Sequence, residues 1–80
     1  MSYAPFVEKL VKSVVDEPDS VEIEEDEEMG ARTFYVRCSP DDVGKVIGKS
    51  GRVVSAMRLV VSAVAAKQRE KAFVRIVTED

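Results

Sequence analysis

Phe6, Val7, Leu10, Val11, Val14 and Val15 recur at the i, i+4, i+8 spacing of an amphipathic helix, and Pro5 suits its first turn. The first expected element is therefore a helix over residues 5–16, ending before Pro18. Val21 and Ile23 then alternate with acids, and beyond Gly30 the alternation returns, with Phe34, Val36 and Cys38 on one face and Thr33, Tyr35 and Arg37 on the other. Two strands joined at Met29 and Gly30 predict a hairpin over 20–38. Ser39, Pro40 and Asp42 read as a helix start: a hydroxyl cap, a proline in the first helical position and a carboxylate near the positive end of the dipole. The helix they open is short, runs through Val43, Val46 and Ile47, and stops at Gly48.

A longer helix is expected just after Gly51. In residues 53–66, eleven of fourteen positions are apolar, and the exceptions Ser55, Arg58 and Ser62 fall on one stripe, which predicts burial on most sides. The helix-loop-helix unit spans 40–67. After a charged break, residues 72–78 read as a final strand. The predicted order is αββααβ, an α+β fold in which three helices cover one face of a three-stranded sheet, and 80 residues allow one such domain over 1–80.

Charge changes the picture. The formal net charge of −3 argues at face value against a polyanionic partner. That number is a cancellation, because residues 1–31 hold two basic side chains against ten acidic ones while residues 32–75 hold ten basic against three acidic. Nine of the acids lie between positions 16 and 28. They form a solvated acidic hairpin that keeps the chain soluble, or one that repels a polyanion and so orients it.

Several chemistries drop out. With no histidine and one isolated cysteine, Cys38, there is no zinc set, no nucleophile-imidazole dyad and no internal disulfide, and the acids lack the spacing of a calcium loop. Neither a metal nor a cofactor is expected, and the reading is non-enzymatic. No window holds the roughly 18 apolar residues of a membrane span, and Glu8, Lys9 and Lys12 break the apolar run a leader requires, so the expected location is cytoplasmic with no membrane partner. Cys38 reads as a buried small hydrophobe at the end of an inward-facing alternation.

Three of the four glycines fall at 44, 48 and 51. Gly48 and Gly51 let the backbone turn sharply and bring N–H groups to the start of the second helix, where the dipole favours an anion, and Lys45, Lys49 and Arg52 flank that turn. Gly48-Lys49-Ser50 imitates the end of the nucleotide-binding P-loop, but Gly44 stands four positions upstream where that motif needs five, and no strand precedes it. Taken alone, the glycines favour a plain helical hairpin in which Gly48 caps one helix, Gly51 frees the next and the cations are solvated.

The segment Val46-Ile47-Gly48-Lys49-Ser50-Gly51-Arg52 resembles the V-I-G-x-x-G-[KR] signature of the K homology (KH) domain, and the αββααβ order is similar to its type II form. The stretch V-D-E-P-D-S-V at 15–21 and the lead-in Pro40-Asp41-Asp42-Val43-Gly44-Lys45 resemble the small bacterial KH proteins of the KhpA family. This resemblance implies single-stranded RNA as ligand. The loop Gly48-Lys49-Ser50-Gly51 would clamp the backbone of about four nucleotides, with Lys45, Lys49 and Arg52 supplying charge. Val46 and Ile47 would line an apolar groove beside Tyr35 and Arg37, although core packing serves Val46 and Ile47 as well, and Tyr35 is equally a good strand former. The family further implies an RNA chaperone or post-transcriptional regulator that forms homodimers or pairs with a larger KH-containing protein, KhpB. The competing reading is a protein-interaction subunit with little RNA affinity of its own.

Overall fold

The computed structural model describes residues 3–78. Its elements are helix α1 (Ala4–Lys12), strands β1 (Glu22–Glu28) and β2 (Ala31–Arg37), the short helix α2 (Val43–Ile47), helix α3 (Arg52–Ala66) and strand β3 (Lys71–Ile76). The sheet order is β1-β2-β3, antiparallel between the first two and parallel between the last two, in a register that places Phe34 opposite both Glu25 and Val74. The helices cover one face. Phe34, Val36 and Val74 project from the sheet into a core that also holds Val7, Val11, Val46, Val61 and Ala65. The hairpin turns at Met29 (φ 52°) and Gly30 (φ 80°), the two left-handed positions whose twist matches that of the flanking strands.

Three expectations on local structure are corrected. Helix α1 ends at Lys12 rather than at 16: Ser13 Oγ donates back to the Leu10 carbonyl (2.6 Å), the Val14 N–H tightens onto the Val11 carbonyl (3.1 Å), and the N–H groups of Asp16 and Glu17 are drawn to Asp42. Ser39 makes no side-chain cap; Pro40–Asp42 is a 3₁₀ turn closed by the Asp42 N–H on the Ser39 carbonyl (2.8 Å), and α2 begins only at Val43. Helix α3 buries one stripe, Val54, Met57, Val61 and Ala65, and not most of its surface. Among the described residues a single sheet layer flanked by helices of nine and five residues leaves nothing to pack on its outer side, so Leu59 stays 74% exposed and Val60 44%.

The end of the sheet remote from the glycine loop is tied by one cation. Arg32, with its side chain largely covered, donates through Nε to Glu70 (2.7 Å), pairs with Glu25 and Glu27, and lies 5.3 Å from the centre of the Tyr3 ring, whose hydroxyl also donates to Glu70. The bond to Arg32 dominates Glu70 and holds its carboxyl below the ordinary range against the opposing effect of burial. Cys38 is half-buried against the core, and burial, helped by the nearby Asp42 carboxylate, pushes its thiol up. Among the described residues no helix is long and apolar enough to cross a membrane, and no cluster of side chains is suited to a metal ion.

Candidate functional site

The loop between α2 and α3 is built from left-handed backbone. Gly48 has φ 78° and ψ 170°, and a Cβ there would stand 2.8 Å from the Val53 nitrogen, so the position needs glycine for both its conformation and its contact with α3. Ser50 (φ 57°) and Gly51 (φ 74°) continue the turn, which closes through Gly48 N–H on the Gly44 carbonyl (2.8 Å) and Gly51 N–H on the Gly48 carbonyl (3.1 Å). Gly51 is the N-cap of α3. It offers no side-chain acceptor and the first turn holds no acid; the Arg52 N–H turns back to the Lys49 carbonyl, so a fifteen-residue helix starts without a side-chain cap or a carboxylate against its dipole. The helix instead opens on exposed Arg52, a cation at the positive end of the dipole, where an anion would be favoured.

Charge pairing sorts the cations. Arg32 and Arg37 are taken up by carboxylates of β1, and Lys45 by Asp16 (3.1 Å) and Asp42 (3.5 Å). Lys49, Arg52, Arg58, Lys67, Arg69, Lys71 and Arg75 have no ion-pair partner among the described residues, and they lie along the loop, α3 and β3. The acids and the free cations therefore sit on opposite edges of the sheet, since β1 and β3 flank β2.

Asp42 fixes where the loop stands. Only 1% exposed, its carboxylate accepts the N–H groups of Asp16 (3.2 Å) and Glu17 (3.0 Å), so the connection after α1 is latched to the residue that precedes α2. Burial alone would push this carboxyl up; the two backbone donors and the Lys45 ammonium outweigh it and hold the group below the ordinary range. The salt bridge to Asp16 in turn raises the pKa of Lys45.

The residues expected at the site divide accordingly. Gly48, Lys49, Ser50, Gly51 and Arg52 form one exposed or half-exposed turn, with Ile47 half-buried beside it. Val46 is fully buried and packs in the core under the loop, so it supports the turn rather than lining a surface. Lys45 is a structural cation. Tyr35 and Arg37 belong to the central strand, whose backbone groups are spent in ladders on both sides, and they lie on the face away from Phe34 and the helices. Arg37 lines a hollow of about 490 Å³ with Cys38, Pro40, Val43 and Val77, at the opposite end of α2 from the glycines.

A second groove lies on the other side of the fold from Arg37. It runs between the outer side of α3 and edge strand β3, with a hollow of about 410 Å³ lined by Arg58, Ser62, Ala72, Phe73, Val74 and Arg75. Phe73 is half-exposed and is the aromatic ring available there. Reading the sequence missed Arg58, Phe73 and Arg75, because strand order is absent from a one-dimensional pattern; the signal that was present is the polar stripe Ser55, Arg58 and Ser62.

A βααβ core with a G-x-x-G loop between its helices, preceded by one helix and one strand, defines a KH domain in the type II arrangement. The chain belongs to the KhpA/KhpB KH-domain family, whose profile matches residues 4–76; it is a family of binding modules and not of enzymes. The chain is similar to RNA-binding protein KhpA of Clostridium perfringens, 42% identical over 72 residues that cover 90% of this chain and 96% of the relative. RNA-binding protein KhpA of Caldanaerobacter subterraneus subsp. tengcongensis is 38% identical over the same shares. That of Streptomyces coelicolor is 47% identical over 58 residues, 72% of this chain and 73% of the relative. No solved structure matches at a significant level.

Proposed function

We propose that this chain binds single-stranded RNA, clamping the phosphates of about four nucleotides at Gly48-Lys49-Ser50-Gly51 and laying the strand along the α3/β3 groove. The observation that carries the reading is the uncapped start of α3, flanked by unpaired Lys49 and Arg52, from which a line of unpaired cations continues along the groove. Related proteins named as RNA-binding support it. The β1 carboxylates stand two strands from β3, roughly 10 Å at the usual strand spacing and about one screening length, and so repel RNA from the far edge without cancelling attraction at the near one. The test is a fluorescence-anisotropy titration at low salt with a labelled single-stranded RNA decamer. It binds, and unlabelled single strand displaces it where a duplex of equal length does not; displacement by the duplex overturns the reading.

One module of this size binds weakly, so the working form pairs with a second subunit, either another copy or a KhpB-like KH protein, and serves as an RNA chaperone or post-transcriptional regulator. Exposed Leu59 and Val60, beside Ala56 and Ala63 on α3, supply the apolar surface for that pairing. The same surface favours a second reading, an interaction subunit with little RNA affinity. Light scattering at micromolar concentration gives about 18 kDa, twice the chain mass of 8.9 kDa, and Leu59→Asp gives the single-chain mass. A wild-type monomer contradicts self-pairing.

A further inference from the structure

We propose that Arg58 reads a base in the bound strand, selecting one that presents two neighbouring hydrogen-bond acceptors on a single edge, guanine or cytosine. The inference rests on the RNA-binding reading and adds to it a residue that sets sequence preference. Arg58 lies six residues into α3, a rise of roughly 9 Å from Arg52, within reach of a strand whose phosphates are held at the loop. Its Nε donates to the Val74 carbonyl of the edge strand at 3.0 Å, so the guanidinium bridges the groove. No carboxylate among the described residues pairs with it. Both terminal amino groups are therefore left with their N–H donors available.

A cation that served only to neutralise phosphate would gain nothing from being fixed. This one is anchored at one nitrogen, and a planar guanidinium anchored in that way presents a fork of two parallel N–H bonds with little entropy left to lose. Such a fork fits O6 and N7 of guanine or O2 and N3 of cytosine. Adenine and uracil alternate donors with acceptors along their exposed edges and offer no adjacent pair. Phe73, exposed in the same hollow, can take the face of the base while Arg58 takes its edge.

The experiment uses the intact chain and an oligouridine decamer in which one guanine, cytosine or adenine is walked along the strand, with affinities read by anisotropy at matched salt. Guanine or cytosine at one position tightens binding over uracil by roughly five- to a hundredfold, and adenine there, which stacks but lacks the acceptor pair, does not. Replacing a preferred guanine by 7-deazaguanine, which lacks N7, removes its gain with no change to the protein. Arg58→Lys keeps the charge, loses the fork, and brings the preferred-to-uracil ratio close to one. Equal affinity for all four bases, a gain that survives 7-deazaguanine, or an unchanged ratio in Arg58→Lys overturns the assignment and leaves RNA binding standing. Failure of the wild-type chain to bind any of these strands overturns both.

Discussion

Lys49→Asp combined with Ser50→Asp abolishes binding of single-stranded RNA and leaves the thermal transition nearly where it was. Both side chains are exposed and neither has a partner to lose among the described residues. Ser50 already holds a left-handed conformation (φ 57°), which aspartate tolerates better than most residues. The electrostatic change is large by comparison. One cation is removed and two anions are added beside the uncapped start of α3, a swing of three charges, each worth about 1 kcal/mol against a phosphate at contact distance in water. Affinity falls roughly a hundredfold or more, beyond the range of a weak single module. Anisotropy at matched salt checks the loss and circular dichroism checks the fold. Retained affinity would move the function off the loop and onto the exposed apolar side of α3.

The second large effect is on the latch. Asp42→Ala removes the acceptor of two backbone N–H groups in a buried position and deprives Lys45 of one of its two carboxylates, so the melting temperature falls by roughly 10 °C. Asp42→Asn keeps one acceptor oxygen and loses less. The pH dependence follows from the same contacts. The Asp42 and Glu70 carboxyls are both held below their ordinary values in the folded chain. Their stabilisation is therefore complete above the unfolded-state value near 4 and is lost as pH falls through the lower folded values. Melting temperature is expected to stay level from neutral pH down to about 5 and to drop steeply below about 4. Asp42→Asn flattens that drop, which differential scanning fluorimetry across the acid range resolves.

Periodicity made the order of elements legible, because each depends on contacts within a few residues: the apolar spacing of α1, the alternation of β2, and the glycine that stops α2. The loop was legible for the same reason. What could not be read depended on which strand lies beside which. Tyr35 and Arg37 sit on a strand that alternates well, and nothing in that alternation shows that β2 is central and β3 the edge. Lys45 looked like a phosphate ligand by proximity in sequence, but its partners, Asp16 and the buried Asp42, are set by tertiary packing. Helix α3 is apolar almost all round, which in a larger fold would mean burial. Among the described residues no further layer covers it, so the same pattern leaves Leu59 in solvent.

The central proposal is that unpaired Lys49 and Arg52 at the loop, with Arg75 along the groove, hold the phosphates of a short single strand. Its most direct test is the affinity of the wild-type chain for a single-stranded RNA decamer across a salt series. Neutralising about three or four phosphates predicts a log-log slope of roughly −2 to −3. A slope near zero, or no binding at the lowest salt, contradicts it.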